Sequence, residues 1–193
     1  VYGQGHHNYC ALTASGKMMC WGWNYAGKFG TGNATSTSTP VQYGGLTDVI
    51  KGAMIRHTVC ALRATGDVVC SGSNPHALIN EDTATTQFMT PQLLDGFQNI
   101  GRMMLSGYAI CGLTDAGNVV CRGDNRSGQH GQGHMDAIST TSTVEGLAQV
   151  SEIMGERGAL FARQGTEVFA WGGNGLGQLG LGFWGVPFGP AKV

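Results

Sequence analysis

One segment recurs four times and limits the architecture more than anything else in the chain. CALTASGKMMCWGWNYAGKFGTG runs from Cys10 to Gly32. CALRATGDVVCSGSN opens at Cys60 and CGLTDAGNVVCRGDNRSGQHGQG at Cys111. A version without cysteine, LFARQGTEVFAWGGNGLGQLGLG, runs from Leu160 to Gly182. A period of about fifty residues means one supersecondary unit repeated and stacked on its neighbours.

The unit reads as a β-hairpin. Thr13 faces Lys17 across a three-residue loop, Ala14-Ser15-Gly16, and such loops want a left-handed residue at the third place. Gly66 and Gly117 hold the same place, and a fourth turn falls near Gly165. Counting outward, Leu12 faces Met18 and Cys10 faces Cys20. Ladder alternation makes that cysteine pair non-hydrogen-bonded, with Cα atoms about 4.5 Å apart, within disulfide reach. The same count pairs Cys60 with Cys70 and Cys111 with Cys121. Free buried thiols are one alternative and zinc another, although nine residues between paired cysteines is wide for zinc. The fourth hairpin has no cysteine and is expected to compensate with Val168, Phe169 and Trp171.

The segment resembles the repeat of RCC1-like β-propellers. The fourth copy carries the pattern best, in Trp171-Gly172-Gly173-Asn174 followed by Gly177-Gln178-Leu179-Gly180-Leu181-Gly182. The first has Trp21-Gly22-Trp23-Asn24, then Gly27-Lys28-Phe29-Gly30-Thr31-Gly32, with His7 ahead of it. The second keeps His57, Gly72 and Asn74 but has Ser71 for the tryptophan. The third has Arg122 there and keeps Gly128-Gln129-His130-Gly131. The resemblance implies an all-β fold of four-stranded blades, as a propeller or an arc. It makes residues 1–193 one repeat domain, with repeats at approximately 1–50, 51–100, 101–150 and 151–193. Paired hairpin cysteines are similar to those of secreted bacterial members.

Composition agrees. Thirty-three glycines and 12% charged residues suit short strands and tight turns. Glycine has no strict three-residue period, which excludes collagen. The net charge is −1 and no basic stripe exists, so nucleic acid is not an expected partner. No apolar run is long enough for a membrane helix, so membrane insertion is not expected. Three bridges imply an oxidising compartment, which places the protein outside the cell or on its surface.

The segments between hairpins are polar and glycine-rich. Asn24, Asn74, Asn125 and Asn174 recur two residues after a glycine, where asparagine bonds its own backbone in turns. The order GxxGxG after Gly27 is wrong for a dinucleotide fingerprint. His6 and His7 are neighbours and in a strand point to opposite faces. His130, His134 and Asp136 lack the regular spacing that would enforce a metal geometry. No metal or other cofactor is expected. Arg122-Gly123-Asp124 spells a cell-attachment string but occupies the Trp-Gly-x position of the repeat, where it reads as degeneration of the repeat. Asn33-Ala34-Thr35 and Asn125-Arg126-Ser127 are glycosylation patterns. Met54, Met103, Met104 and Met154 are expected as packing fillers.

The chain opens at Val1 and stops at Val193, before another Gly-Leu-x-x-Val segment. That predicts open blade edges, completed by more repeats or by further chains meeting near Trp184 and Phe188. No nucleophile, base and orienting group are tied to one place, so an enzyme is not expected. The expected function is binding. The candidate surface comprises Trp23, Tyr25, Phe29, His76, Arg126, His130, His134 and Trp184, offered to a protein partner or to copies of the same chain. A carbohydrate-binding propeller and an inhibitor of a hydrolase are the alternatives.

Overall fold

The computed structural model describes residues 7–137, 140–187 and 189–193. Expectations placed on Val1-Tyr2-Gly3, His6 and Phe188 lie outside them. The strands form four antiparallel sheets in chain order. The first holds β1 (Asn8–Leu12), β2 (Met18–Gly22) and β3 (Thr37–Gln42). The second holds β4 (Val49–Ile55), β5 (Thr58–Arg63), β6 (Val68–Ser73) and β7 (Gln87–Leu93). The third holds β8 (Ile100–Ser106), β9 (Ala109–Thr114), β10 (Val119–Gly123) and β11 (Ser142–Thr143). The fourth holds β12 (Val150–Glu156), β13 (Ala159–Gln164), β14 (Glu167–Gly172) and β15 (Ala191–Lys192). Within each sheet every strand pairs with the next in sequence, which is the topology of a blade.

The central hairpins have the register that their loops dictate. Thr13 N–H donates to the Lys17 carbonyl at 2.9 Å, and Gly16 sits at φ +75°. A Cβ on Gly16 would also lie 2.5 Å from the Thr47 carbonyl oxygen, so glycine is required there on both counts. Leu12 faces Met18 and Cys10 faces Cys20. The bridges are Cys10–Cys20, Cys60–Cys70 and Cys111–Cys121, with Cα atoms 4.0, 4.1 and 4.2 Å apart. The fourth hairpin differs. Gln164 faces Glu167 across a two-residue loop led by Gly165 at φ +59°.

The chain divides into two compact units, one of Val1–Pro75 and Ile79–Gln98, the other of His76–Leu78 and Asn99–Val193. In the first, Cys10, Cys20, Phe29 and Tyr43 pack with Val59, Ala61 and Val69 of the second blade. In the second, Cys111, Cys121 and Val144 pack with Leu160, Ala162 and Trp171 of the fourth blade. The Cys10–Cys20 and Cys111–Cys121 bridges therefore lie inside these two layers, where they add apolar bulk as well as a covalent tie. Trp171 fills its layer and donates its indole N–H to the Gln129 carbonyl at 2.9 Å. The place of the missing fourth bridge is held by the facing pair Phe161 and Ala170, while Val168 turns out to solvent, 40% exposed. Met54 and Met103 are buried and Met104 packs against the core of the second unit, as expected, whereas Met154 is 60% exposed.

Candidate binding surface

The long connector after each hairpin is held by one asparagine. The chain leaves the hairpin through a glycine at positive φ, for example Gly72 at +111°. A Cβ there would lie 2.0 Å from the His57 carbonyl oxygen, which accepts the Ser73 N–H at 2.9 Å. The asparagine follows. Asn24 Oδ1 accepts the Phe29 N–H, and its Nδ2 donates to the carbonyls of Asn33 and Thr35. Asn74 holds the N–H of Ile79 and the carbonyls of Asn80, Asp82 and Thr85. Asn125 holds the N–H of His130 and the carbonyls of His134 and Asp136. Asn174 holds the N–H of Leu179 and the carbonyls of Phe183 and Gly185. All four asparagines are buried. A buried amide with this many satisfied partners fixes the connector rather than merely turning it.

In the first unit the connector tip carries an aromatic cluster. Trp23 and Tyr25 are 41% and 50% exposed, with ring centroids 5.2 Å apart. His57, on the turn between β4 and β5, stands edge-on to Trp23 at 5.6 Å and lies 4.6 Å from Tyr25. Behind them Lys28 is fully buried. Its ammonium donates to Asn8 Oδ1 at 2.7 Å and to the Arg56 carbonyl at 3.0 Å, and lies 5.4 Å from the Trp23 ring centroid. Burial pushes the Lys28 ammonium down to about 8.

In the second unit Arg126 is exposed and grips the nearly buried Asp124 with two bonds, Nε to Oδ1 at 2.8 Å and Nη2 to Oδ2 at 3.1 Å. Its Nη2 also meets His76 Nε2 at 3.2 Å, and the His76 ring lies 6.0 Å from that of Tyr108. Burial alone would raise the Asp124 carboxyl, but the Arg126 hydrogen bonds and the nearby positive charges hold it below its ordinary value. Arg122 is 1% exposed and donates Nε to the Ala77 carbonyl at 2.8 Å. The Arg122-Gly123-Asp124 string thus points inward and is not presented for attachment.

Two expected surface residues are corrected. Phe29 is fully buried in the layer between the first two blades. His130 is also fully buried, its Nδ1 2.6 Å from Ser142 Oγ and its Nε2 3.2 Å from the Gly123 carbonyl. The carbonyl can only accept, so Nε2 carries the proton and Nδ1 accepts from Ser142. Burial pushes the imidazole down to about 4, with both ring nitrogens engaged. His134 is exposed and pairs with Asp136 at 3.5 Å. Among the described residues no group of three His, Cys, Asp or Glu side chains is placed to hold a metal ion. Trp184 is 76% exposed, with Leu176 and Phe183 also exposed on the fourth connector. Of the sequon asparagines, Asn33 is exposed and Asn125 is consumed by its clamp. Nothing in the sequence marked Lys28 and Asp124 as buried partners of the exposed Trp23 and Arg126, or Tyr108 as a neighbour of His76. His57 was named only as a residue that the second copy keeps.

A family model described as regulator of chromosome condensation (RCC1) repeat matches residues 3–28. The chain is 28% identical over 188 residues to the ultraviolet-B receptor UVR8 of Arabidopsis thaliana, covering 92% of this chain and 42% of that protein. Human WBSCR16 superposes with a TM-score of 0.84 at 24% identity, over 98% of this chain and 51% of that one. Yeast RCC1 (Prp20), in a crystal structure with Kap60, superposes with a TM-score of 0.82 at 17% identity, over 97% and 46%. The chain thus spans about half the length of the relatives it matches. The structural likenesses show the fold.

Proposed function

From the premise that the chain is an RCC1-like β-propeller repeat protein, we propose that it is a secreted or cell-surface binding scaffold whose connectors dock a protein partner. The observation that carries this reading is the set of four asparagine clamps. They hold main-chain atoms in the same way in every repeat, yet the exposed residues differ: Trp23 and Tyr25, His76, Arg126, then Leu176, Phe183 and Trp184. A rigid frame with unlike side chains costs little ordering on binding and allows selectivity. Three disulfides support an oxidising location. Two yeast RCC1 structures support protein partners, one being a complex with Kap60 and the other concerning binding to Gsp1p and histones.

Photo-crosslinking tests the reading. A benzophenone amino acid replaces Tyr25 or Trp184 on the connectors, or Ala14 or Thr65 on the hairpin loops at the other end of the same strands. Adducts with one partner protein, or with a second copy, from the connector positions alone support it. A hydrolase as the captured protein would make the chain an inhibitor scaffold. Equal capture from the hairpin loops, or no adduct from any position in the native extracellular fraction, overturns it.

A further inference from the structure

We propose that Trp23, Tyr25 and His57 form a binding site for an acidic saccharide, a sugar unit with an apolar C–H face and a carboxylate. This goes beyond the protein-docking reading and stands or falls separately from it.

The rings are preorganised. His57 stands edge-on to Trp23, at 83° between planes, and Tyr25 is tilted 34° from Trp23 and 57° from His57. Trp23 and Tyr25 continue directly from the clamped segment, since Asn24 lies between them and is fully buried. Fixed aromatic rings with 41% and 50% of their surface open offer apolar area that loses little freedom on binding. The C–H face of a pyranose matches such a surface, and its hydroxyls stay in water.

Charge selects among the ligands that could stack there. The Lys28 ammonium lies 5.4 Å from the Trp23 centroid and its two hydrogen-bond acceptors, Asn8 Oδ1 and the Arg56 carbonyl, are both neutral. A buried cation held by neutral groups projects its field outward. It also already occupies the attraction that the Trp23 quadrupole would offer a second cation. Arg56, on the turn that carries His57, is exposed and adds positive charge. The site therefore disfavours lysine, arginine or quaternary ammonium ligands. It favours a group that brings apolar surface and negative charge together, which a uronic acid unit does.

Titration of the full chain with a galacturonic acid trimer, followed by tryptophan fluorescence and calorimetry, tests the proposal. A galactose trimer and an aspartate-rich hexapeptide serve as comparators. Binding of the uronate trimer is expected to weaken about tenfold or more in Trp23→Ala and Tyr25→Ala, and less in Trp23→Phe, which keeps a ring. Trp184→Ala, on a different connector, should leave it unchanged. Arg56→Gln and added salt should each weaken it several-fold. Disulfide mapping and circular dichroism on each variant separate loss of binding from loss of folding. No binding up to about 10 mM, a weaker limit than most specific sites, overturns the proposal. So does equal affinity for the galactose trimer, which removes the charge argument. Equal affinity for the acidic peptide, or equal loss in Trp184→Ala, removes the stacking argument.

Discussion

The hydroxyls of Ser71 and Tyr43 lie 3.1 Å apart, and this pair stands in the first unit where a single tryptophan stands in the second. Ser71 Oγ donates to the Lys28 carbonyl at 2.9 Å, as the Trp171 indole does to that of Gln129. A serine cannot fill the volume of an indole. Tyr43 fills it instead, fully buried, its own hydroxyl donating to the Val59 carbonyl at 3.0 Å. Where the tryptophan is present, the residue aligned with Tyr43 is the small Val144, packed in the same layer. The exchange keeps both the donor and the bulk.

Removing either function should be measurable on its own. Trp171→Phe removes the indole donor to the Gln129 carbonyl, and Tyr43→Phe removes the phenol donor to the Val59 carbonyl, and each is expected to cost about 0.5–1.5 kcal/mol. Trp171→Ala also opens a cavity and is expected to cost about 3–5 kcal/mol. Chemical denaturation followed by circular dichroism reads these differences. A neutral Tyr43→Phe would mean that the ladder pairing of Val59 with Ser71 is enough for that carbonyl.

The clamps predict a ranking. Asn174→Ala removes one acceptor and two donors from a fully buried place and should cost about 2–4 kcal/mol. Asn174→Asp should cost more, because a carboxylate would face the carbonyls of Phe183 and Gly185. In hydrogen exchange the Leu179 amide should lose protection in both variants while the β13–β14 ladder keeps it.

Acid should destabilise the second unit through His130. Its imidazole sits at about 4 in the native chain, against an ordinary value of 6.5. Between those values the unfolded chain binds the proton and the folded one does not, so stability falls as pH drops from 6.5 to 4, by roughly 3 kcal/mol. His130→Leu, matching Leu179 in the fourth copy, should remove that part of the pH profile. An unchanged profile would assign the acid sensitivity to another group.

Lys28 should act at the other end. The native ammonium titrates at about 8 and the unfolded one at 10.5. Between these values the unfolded chain holds more protons, so this residue makes the protein more stable as pH rises, by roughly 3 kcal/mol in total. Tyr43 opposes it at still higher pH, because burial raises its phenol well above the ordinary value. The difference between wild type and Lys28→Gln isolates the lysine, and a difference that is flat from pH 8 to 10 would refute the assignment.

Much of the fold was legible because its rules are short-range. Two-residue alternation, a glycine at the third loop place and the count back to the cysteines set the register of Cys10 against Cys20 without tertiary information. The clamps were half legible. A turn asparagine is recognisable, but Asn24 reaches Phe29, Asn33 and Thr35, and nothing local signals partners so far along the chain. Phe29 and His130 were misplaced although a signal existed. Aligned across repeats, their column is Phe29, Ile79, His130 and Leu179, three apolar residues and one histidine, which reads as buried. The column of Lys28, Leu78, Gln129 and Gln178 is mixed, so the buried lysine could not be read. The union of Trp23 and Tyr25 with His57 depends on one blade meeting the next.

The local pairing of the cysteines bears on how the chain is made. Each bridge closes between two adjacent strands of one hairpin, ten residues apart in sequence. The thiols meet once that hairpin turns, a microsecond event that needs no other blade. Six cysteines allow many pairings, but each leaves the synthesis machinery close to its own partner and ahead of any stranger. Oxidation can therefore proceed hairpin by hairpin as the chain is made, with little need for isomerase to undo errors. The last hairpin, lacking a bridge, remains the part whose formation waits on packing.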